Sequence, residues 1–186
     1  INDVVENLSV VGNVLTDDDG FGTDSDIDNG DILNVNAVIL NGAPFSVPGL
    51  ILGQYGELSI DANGDYSYTA TDDTLSLDEI VTESFIYTVD DGNGGTDTAQ
   101  LIITVTGAND DPVATGPGPD PQGQIPAFTT DEDTAFSGTV GGTDVDGDTI
   151  TFSVTDQPTG GTVSIDPSTG EFTFDPGPDL SNHGSG

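Results

Sequence analysis

"ELSIDANGDYSYT", Glu57 to Thr69, alternates apolar and polar side chains on both sides of Asn63-Gly64. Period-two alternation marks a strand with one buried face, and Asn-Gly supplies the positive-φ pair that a tight turn needs between two such strands. The stretch is a β-hairpin written locally. The same alternation returns in "ILNVNAVIL" (Ile32 to Leu40), "SFIYTVD" (Ser84 to Asp90) and "TAQLIITVT" (Thr98 to Thr106), with Asn41-Gly42 and Asn93-Gly94 as further turn signals. Helical periodicity is nearly absent; the nearest case is one short turn around Leu75 to Glu79, which Asp72 and Asp73 would cap. The chain reads as all-β, built as immunoglobulin-like sandwiches.

An internal repeat organises these strands. "ENLSVVGNV" (Glu6 to Val14) aligns with "EDTAFSGTV" (Glu132 to Val140), and "DIDNGDILNVNAV" (Asp26 to Val38) with "DVDGDTITFSV" (Asp144 to Val154). "GELSIDANGDYSY" (Gly56 to Tyr68) aligns with "GTVSIDPSTGEFTF" (Gly161 to Phe174), with one extra turn residue. Nothing after Phe174 corresponds to Ser84–Asp110, so the second copy lacks about two strands. Either the array continues beyond this piece, or a neighbouring chain lends the strands. Prolines 112, 117, 119, 121 and 126 interrupt any ladder between the copies. The expected division is a first sandwich at 1–109, a Pro/Gly-rich linker at 110–126 and a truncated second sandwich at 127–186.

Charge narrows the function. The chain carries 28 Asp and 6 Glu but no Lys or Arg, for a formal net charge of -34. Such a field repels nucleic-acid phosphates and anionic membrane surfaces, because both are bound through Lys and Arg. No stretch is apolar enough to span a membrane, so neither nucleic acid nor membrane insertion is expected. Without Cys there are no disulfides, thiolate sites or Cys nucleophiles. The single His, His183, lies in the tail "SNHGSG", and with no Lys or Cys to act as base or nucleophile the chain reads as a non-enzyme.

Oxygen-only donors select a hard cation, with Ca2+ ahead of Mg2+. Two carboxylates about 6 Å apart repel by roughly 3 kcal/mol at an effective dielectric of about 20, and a divalent ion between them reverses the sign. The acidic clusters flank predicted strands, where the ends of a sandwich would gather them. The candidate ligands are Asp24, Asp26, Asp28 and Asp31; Asp90, Asp91, Asn93 and Asp97; Asn109, Asp110 and Asp111; and Asp144, Asp146 and Asp148. Acidity recurs at the same place in both copies at Asp26/Asp28/Asp31 and Asp144/Asp146/Asp148. These are not EF-hand loops: counting from Asp144, the sixth position is Thr149 and the twelfth Thr155, where Gly and Glu are required. The competing reading is a set of solvated turns.

"GQYGELSIDANGDYSYTATDDTLSLDEIVTESFIYTVDDGNGGTDTAQLIITVTGANDDPVA" (Gly53 to Ala114) closely resembles the VCBS repeat, and "SVVGNVLTDDD" and "DGDTITFSV" resemble the opening strands of bacterial cadherin-like repeats. Such repeats occur in repeats-in-toxin surface adhesins as calcium-stiffened extenders. The resemblance implies that Glu6 and Glu132 are the first-strand acids of the two copies, and that "DDGNGGTD" and "GANDD" face interdomain ions. It further implies a secreted, cell-surface protein that binds several Ca2+ ions, serves adhesion or biofilm attachment, and has neighbouring repeats as its partners. Two other functions stay open: a sugar- or peptide-binding adhesin module, and a filament subunit completed by strands from neighbouring subunits.

Overall fold

A computed structural model describes residues 2–18, 22–27, 30–116, 130–131 and 133–177. The chain divides into two compact units, Ile1–Asp110 and Asp111–Gly186.

Unit 1 contains strands β1 (Asn2–Val5), β2 (Ser9–Asn13), β3 (Asn34–Leu40), β4 (Ala43–Ser46), β5 (Gly49–Leu52), β6 (Gly56–Ile60), β7 (Asp65–Ala70), β8 (Ile80–Asp90) and β9 (Thr96–Thr106). They form two sheets, ordered β1-β9-β8-β3-β4 and β2-β7-β6-β5. β1 runs parallel to β9, and the other pairs are antiparallel. Alternation sends Leu58, Ile60, Tyr66 and Tyr68 of one sheet and Val38, Phe85, Tyr87, Leu101 and Ile103 of the other into a common core. Tyr68 meets Phe85 edge-on across it, with ring centroids 6.1 Å apart.

The opening hairpin is real but its turn differs from the expected one. Ile60 pairs with Tyr66, and Asp61 N–H donates to the Asp65 carbonyl at 2.9 Å, so Ala62, Asn63 and Gly64 form a three-residue loop. Only Gly64 takes a positive φ, 87°, and a Cβ there would lie 2.7 Å from Leu15. The positive-φ pair occurs instead at Asn41 and Gly42, φ 51° and 81°, which join β3 to β4. No helix forms at Leu75–Glu79. Asp78 has φ 62°, and Glu79 N–H closes a turn onto Ser76 at 2.8 Å. Asp72 accepts from Thr74 N–H and Oγ1 at 3.0 and 2.6 Å, an Asx turn rather than a helix cap.

Unit 2 contains β10 (Val113–Thr115), β11 (Phe136–Thr139), β12 (Gly141–Thr143), β13 (Thr162–Ile165) and β14 (Glu171–Asp175). β10 pairs with β12, and a second sheet is ordered β11-β14-β13. Val113–Thr115 thus form a strand inside the 110–126 stretch that sequence reads as linker; the ladder needs only three residues and ends before the run of prolines. Residues 117–126 of that stretch lie outside the described residues.

Three strands of the repeat keep the same register in both units. Val10↔Tyr68 and Gly12↔Tyr66 in unit 1 become Phe136↔Phe174 and Gly138↔Phe172 in unit 2. Leu58↔Tyr68 and Ile60↔Tyr66 become Val163↔Phe174 and Ile165↔Phe172. Val14 N–H donates to the Gly64 carbonyl at 2.9 Å, and Val140 N–H to that of Gly170 at 3.0 Å. A Cβ on Gly12 would sit 2.6 Å from the Tyr66 hydroxyl, and one on Gly138 2.8 Å from the Phe172 ring. In both copies glycine lets an aromatic ring lie across the neighbouring strand.

Candidate metal centre

In unit 1 the loop before β3 and the β8–β9 turn bring acids together from two distant stretches of sequence. Asp26, Asp31 and Asp91 each offer a carboxylate oxygen within 4.8 Å of the others. A groove of about 440 Å³ opens beside them, lined also by Asp24 and Asp97. Asp24 is fixed by its N–H, which donates to the Leu15 carbonyl at 3.1 Å, and by the Tyr87 hydroxyl, which donates to its Oδ2 at 3.0 Å. Asp91 Oδ1 accepts from Asn93 N–H at 2.7 Å and Gly95 N–H at 3.0 Å. The bond from Asn93, followed by those from Gly95 and Gly94, holds its carboxyl below the usual 3.8, so it is ionised across the neutral range. Gly95 leaves room for this carboxylate, since a Cβ there would lie 2.3 Å from Asp91 Oδ2.

The donor set fits Ca2+. Oxygens bound at about 2.3–2.6 Å from one ion can lie up to about 5 Å apart, so a mutual spacing of 4.8 Å allows all three to share it. No Lys or Arg exists in the chain to neutralise the trio. Asp97 lines the groove while its Oδ1 accepts Thr98 N–H at 2.8 Å. Asp90 serves the turn, accepting Gly92 N–H at 2.7 Å and Asn36 Nδ2 at 3.4 Å. Asn93 contributes its backbone N–H to Asp91. Asp28 lies outside the described residues.

A second acid has a different setting. Glu6 is 2% exposed; its Oε2 accepts Ala108 N–H at 2.9 Å, and its Oε1 is buried with no hydrogen-bond donor. A buried carboxylate with one unsatisfied oxygen carries a desolvation cost, and the chain has no Lys or Arg to offset it. Its partner Ala108 precedes Asn109, whose Nδ2 donates to the Asp110 carbonyl at 3.0 Å; Asp110 is half-buried and Asp111 exposed.

In unit 2, Asp144 Oδ1 accepts Asp148 N–H at 3.0 Å around Gly147, φ 77°. Asp144, Asp146 and Asp148 do not converge as the first trio does; among the described residues Asp26, Asp31 and Asp91 form the one such group. The repeat supplies counterparts of Asp26 and Asp31 in Asp144 and Asp148, but none of Asp91. Glu132 and His183 lie outside the described residues.

Two polar sites escaped the spacing argument. Glu83, 5% exposed, accepts the Tyr68 hydroxyl at 2.9 Å and Gln54 N–H at 2.5 Å. Burial, then the bond to Glu83, raises the Tyr68 phenol well above its usual 10.0. The signal was present, because Glu83 shares the inward parity of Phe85 and Tyr87. Beside Gly12, the Tyr66 hydroxyl is buried without a partner and its pKa is pushed up to about 12, by burial and then by Asp17.

Residues 2–107, more than half of the chain, match the bacterial cadherin-like domain. The chain belongs to the bacterial cadherin-like domain family. Residues 109–185 match the bacterial Ig domain, so this cadherin-like chain carries two β-sandwich domains in tandem. It is 38% identical over 60 residues to the calcium-binding lectin RapA2 of Rhizobium johnstonii, a stretch covering 32% of this chain and 25% of that protein. Among solved structures it is similar to human CDH23 EC21-23, at 16% identity and TM-score 0.42, with 97% of this chain and 51% of that one covered. It is also similar to mouse cadherin-23 EC22-24, at 19% identity and TM-score 0.42, with 93% and 50% covered. The cadherin-like chain thus spans a quarter of the rhizobial lectin and about half of each cadherin structure. No helix among the described residues is long and apolar enough to cross a membrane.

Proposed function

We propose that this cadherin-like chain is a calcium-stabilised structural extender of a large secreted bacterial surface adhesin, serving adhesion or biofilm attachment. Its partners in this role are neighbouring repeats of the same chain. The observation that carries the reading is the convergence of Asp26, Asp31 and Asp91 within 4.8 Å in a chain with no cationic side chain except His183. Bound Ca2+ would supply the positive charge that lets the three coexist. The trio ties the loop ahead of β3 to the turn after β8, and β3 and β8 are paired neighbours. Pulling those strands apart would then require breaking carboxylate–cation bonds as well as the ladder. Glu6, with its orphaned Oε1, is the second place where the chain would hold a cation.

Single-molecule pulling on the whole chain tests the mechanical role. The unfolding force of unit 1 is expected to fall when Ca2+ is removed with EDTA and to be equally low in Asp31→Asn with Ca2+ present. A force indifferent to Ca2+ would defeat the extender reading.

The similarity to a calcium-binding lectin favours a second reading, a sugar-binding module. Sugars stack on exposed aromatic rings, whereas Tyr66, Tyr68, Phe85 and Tyr87 are all buried in the core. A glycan array with and without Ca2+ separates the two: an extender binds nothing, and calcium-dependent glycan capture would select the lectin role.

A further inference from the structure

The chain crosses from β2 to β3 through residues 14–33, whose described part enters no ladder. Connections longer than about 12–15 residues without secondary structure are uncommon in compact domains and usually functional. This one carries two of the three converging acids, Asp26 and Asp31. Their approach to Asp91 therefore needs something that holds the stretch against the β8–β9 turn. Within 22–27 only Asp24 is half-buried; the other five residues are exposed, Ile27 at 98%. Asp24 is where the stretch beds into the sandwich.

Tyr87 meets it there. Alternation along β8 sends this side chain inward with Phe85 and Val89, and it is 6% exposed. Two acceptors share its hydroxyl: the Val14 carbonyl at 3.1 Å, where the connection begins, and Asp24 Oδ2 at 3.0 Å. Asp24 N–H closes the same stretch onto the Leu15 carbonyl at 3.1 Å. One phenol thus ties both ends of residues 14–24 to the strand that leads directly into Asp91. Asp26 follows Asp24 by two residues, a span of at most about 7 Å, so fixing Asp24 limits where Asp26 can lie.

We infer that Tyr87 is a positioning residue for the cation site: its hydroxyl latches Asp24 and the Val14 carbonyl to β8, so that Asp26 stands beside Asp91 before any ion is bound. The identity of the ion rests on the calcium reading, whereas the latch is a property of the ion-free chain. A site assembled in advance spares the ion the cost of ordering the loop. If loss of the hydroxyl leaves the loop in place about a tenth of the time, the apparent Kd weakens about tenfold. Phenylalanine at position 87 keeps the ring in the core and removes only the latch.

The test compares the whole chain with Tyr87→Phe and Asp24→Asn, first in EDTA and then with Ca2+. Asp24→Asn keeps an oxygen for the hydroxyl but removes the charge. In EDTA, Tyr87→Phe should speed amide exchange at Asp24 at least tenfold and change it much less at Leu58 and Ile103 in the core. Asp24→Asn should keep the parent's slow exchange. With Ca2+, calorimetry should give Tyr87→Phe a Kd at least fivefold weaker than the parent's, and saturating Ca2+ should return exchange at Asp24 to the parent's rate. A merely structural role would speed all amides alike and leave Kd where it was. Parental exchange at Asp24 in Tyr87→Phe overturns the latch. So does a Kd that weakens in Asp24→Asn but not in Tyr87→Phe, since Asp24 would then act as a ligand without help from Tyr87. A parent chain that binds no Ca2+ defeats the calcium reading instead, and exchange in EDTA still decides the latch.

Discussion

Asp91 is placed by its own backbone, through N–H donors from Asn93 and Gly95, and Gly95 leaves its carboxylate room. Gly95→Ala should push that carboxylate away and weaken Ca2+ binding at least tenfold by calorimetry. In EDTA its melt should stay within about 0.5 kcal/mol of the parent, as for other surface changes. Tyr68→Phe removes the donor to the buried Glu83 Oε2. It should cost about 1–3 kcal/mol in urea denaturation. Sequence spacing showed where acids are dense but not which ones converge. Asp26 and Asp31 are readable as neighbours, whereas Asp91 comes from a turn sixty residues away that only the β3–β8 pairing brings near. Asp144, Asp146 and Asp148 have the denser spacing and do not converge, because convergence needs that turn.

The hairpins were the most legible elements, since a strand's inward face is set by parity alone. Ile60↔Tyr66 and Ile165↔Phe172 follow from alternation and the repeat alignment. The turn's dihedral angles did not follow, because Asn-Gly serves several loop lengths and Leu15 packing under Gly64 helps to select one. Strand β10 was hidden by its proline-rich surroundings. At the β13–β14 turn, Asp166 accepts from Ser168 Oγ at 2.6 Å, and from Ser168 and Thr169 N–H at 2.8 and 3.1 Å. The Ser168 hydroxyl first, then these amides, lower its carboxyl from 3.8. A depressed carboxyl contributes stability above its unfolded value, and that contribution is lost as pH falls through the folded value. Asp166→Asn should therefore flatten the acid limb of unit 2 unfolding below about pH 4 and leave the alkaline limb unchanged. Phe85→Ala, at a site 1% exposed, should cost about 3–5 kcal/mol, and Phe136→Ala, at a half-buried site, clearly less.

For the whole molecule, the all-β tandem architecture was readable because it rests on local alternation and on a repeat. The pairing of Glu6 with Ala108 joins residues at opposite ends of unit 1, so the family resemblance could point to the acid but spacing could not supply its partner. The charge of -34 bears on the whole chain, because no Lys or Arg offsets it and cations must therefore carry the compensation. The most direct measurement is a calorimetric melt of the metal-stripped chain, then with Ca2+ or Mg2+ added back. At about 100 times Kd, one ion adds roughly 2.7 kcal/mol, which should raise the unit 1 transition by about 10 °C with Ca2+ and by less with Mg2+. In Asp31→Asn the calcium-dependent rise should shrink. Identical melts with and without Ca2+ would contradict the account.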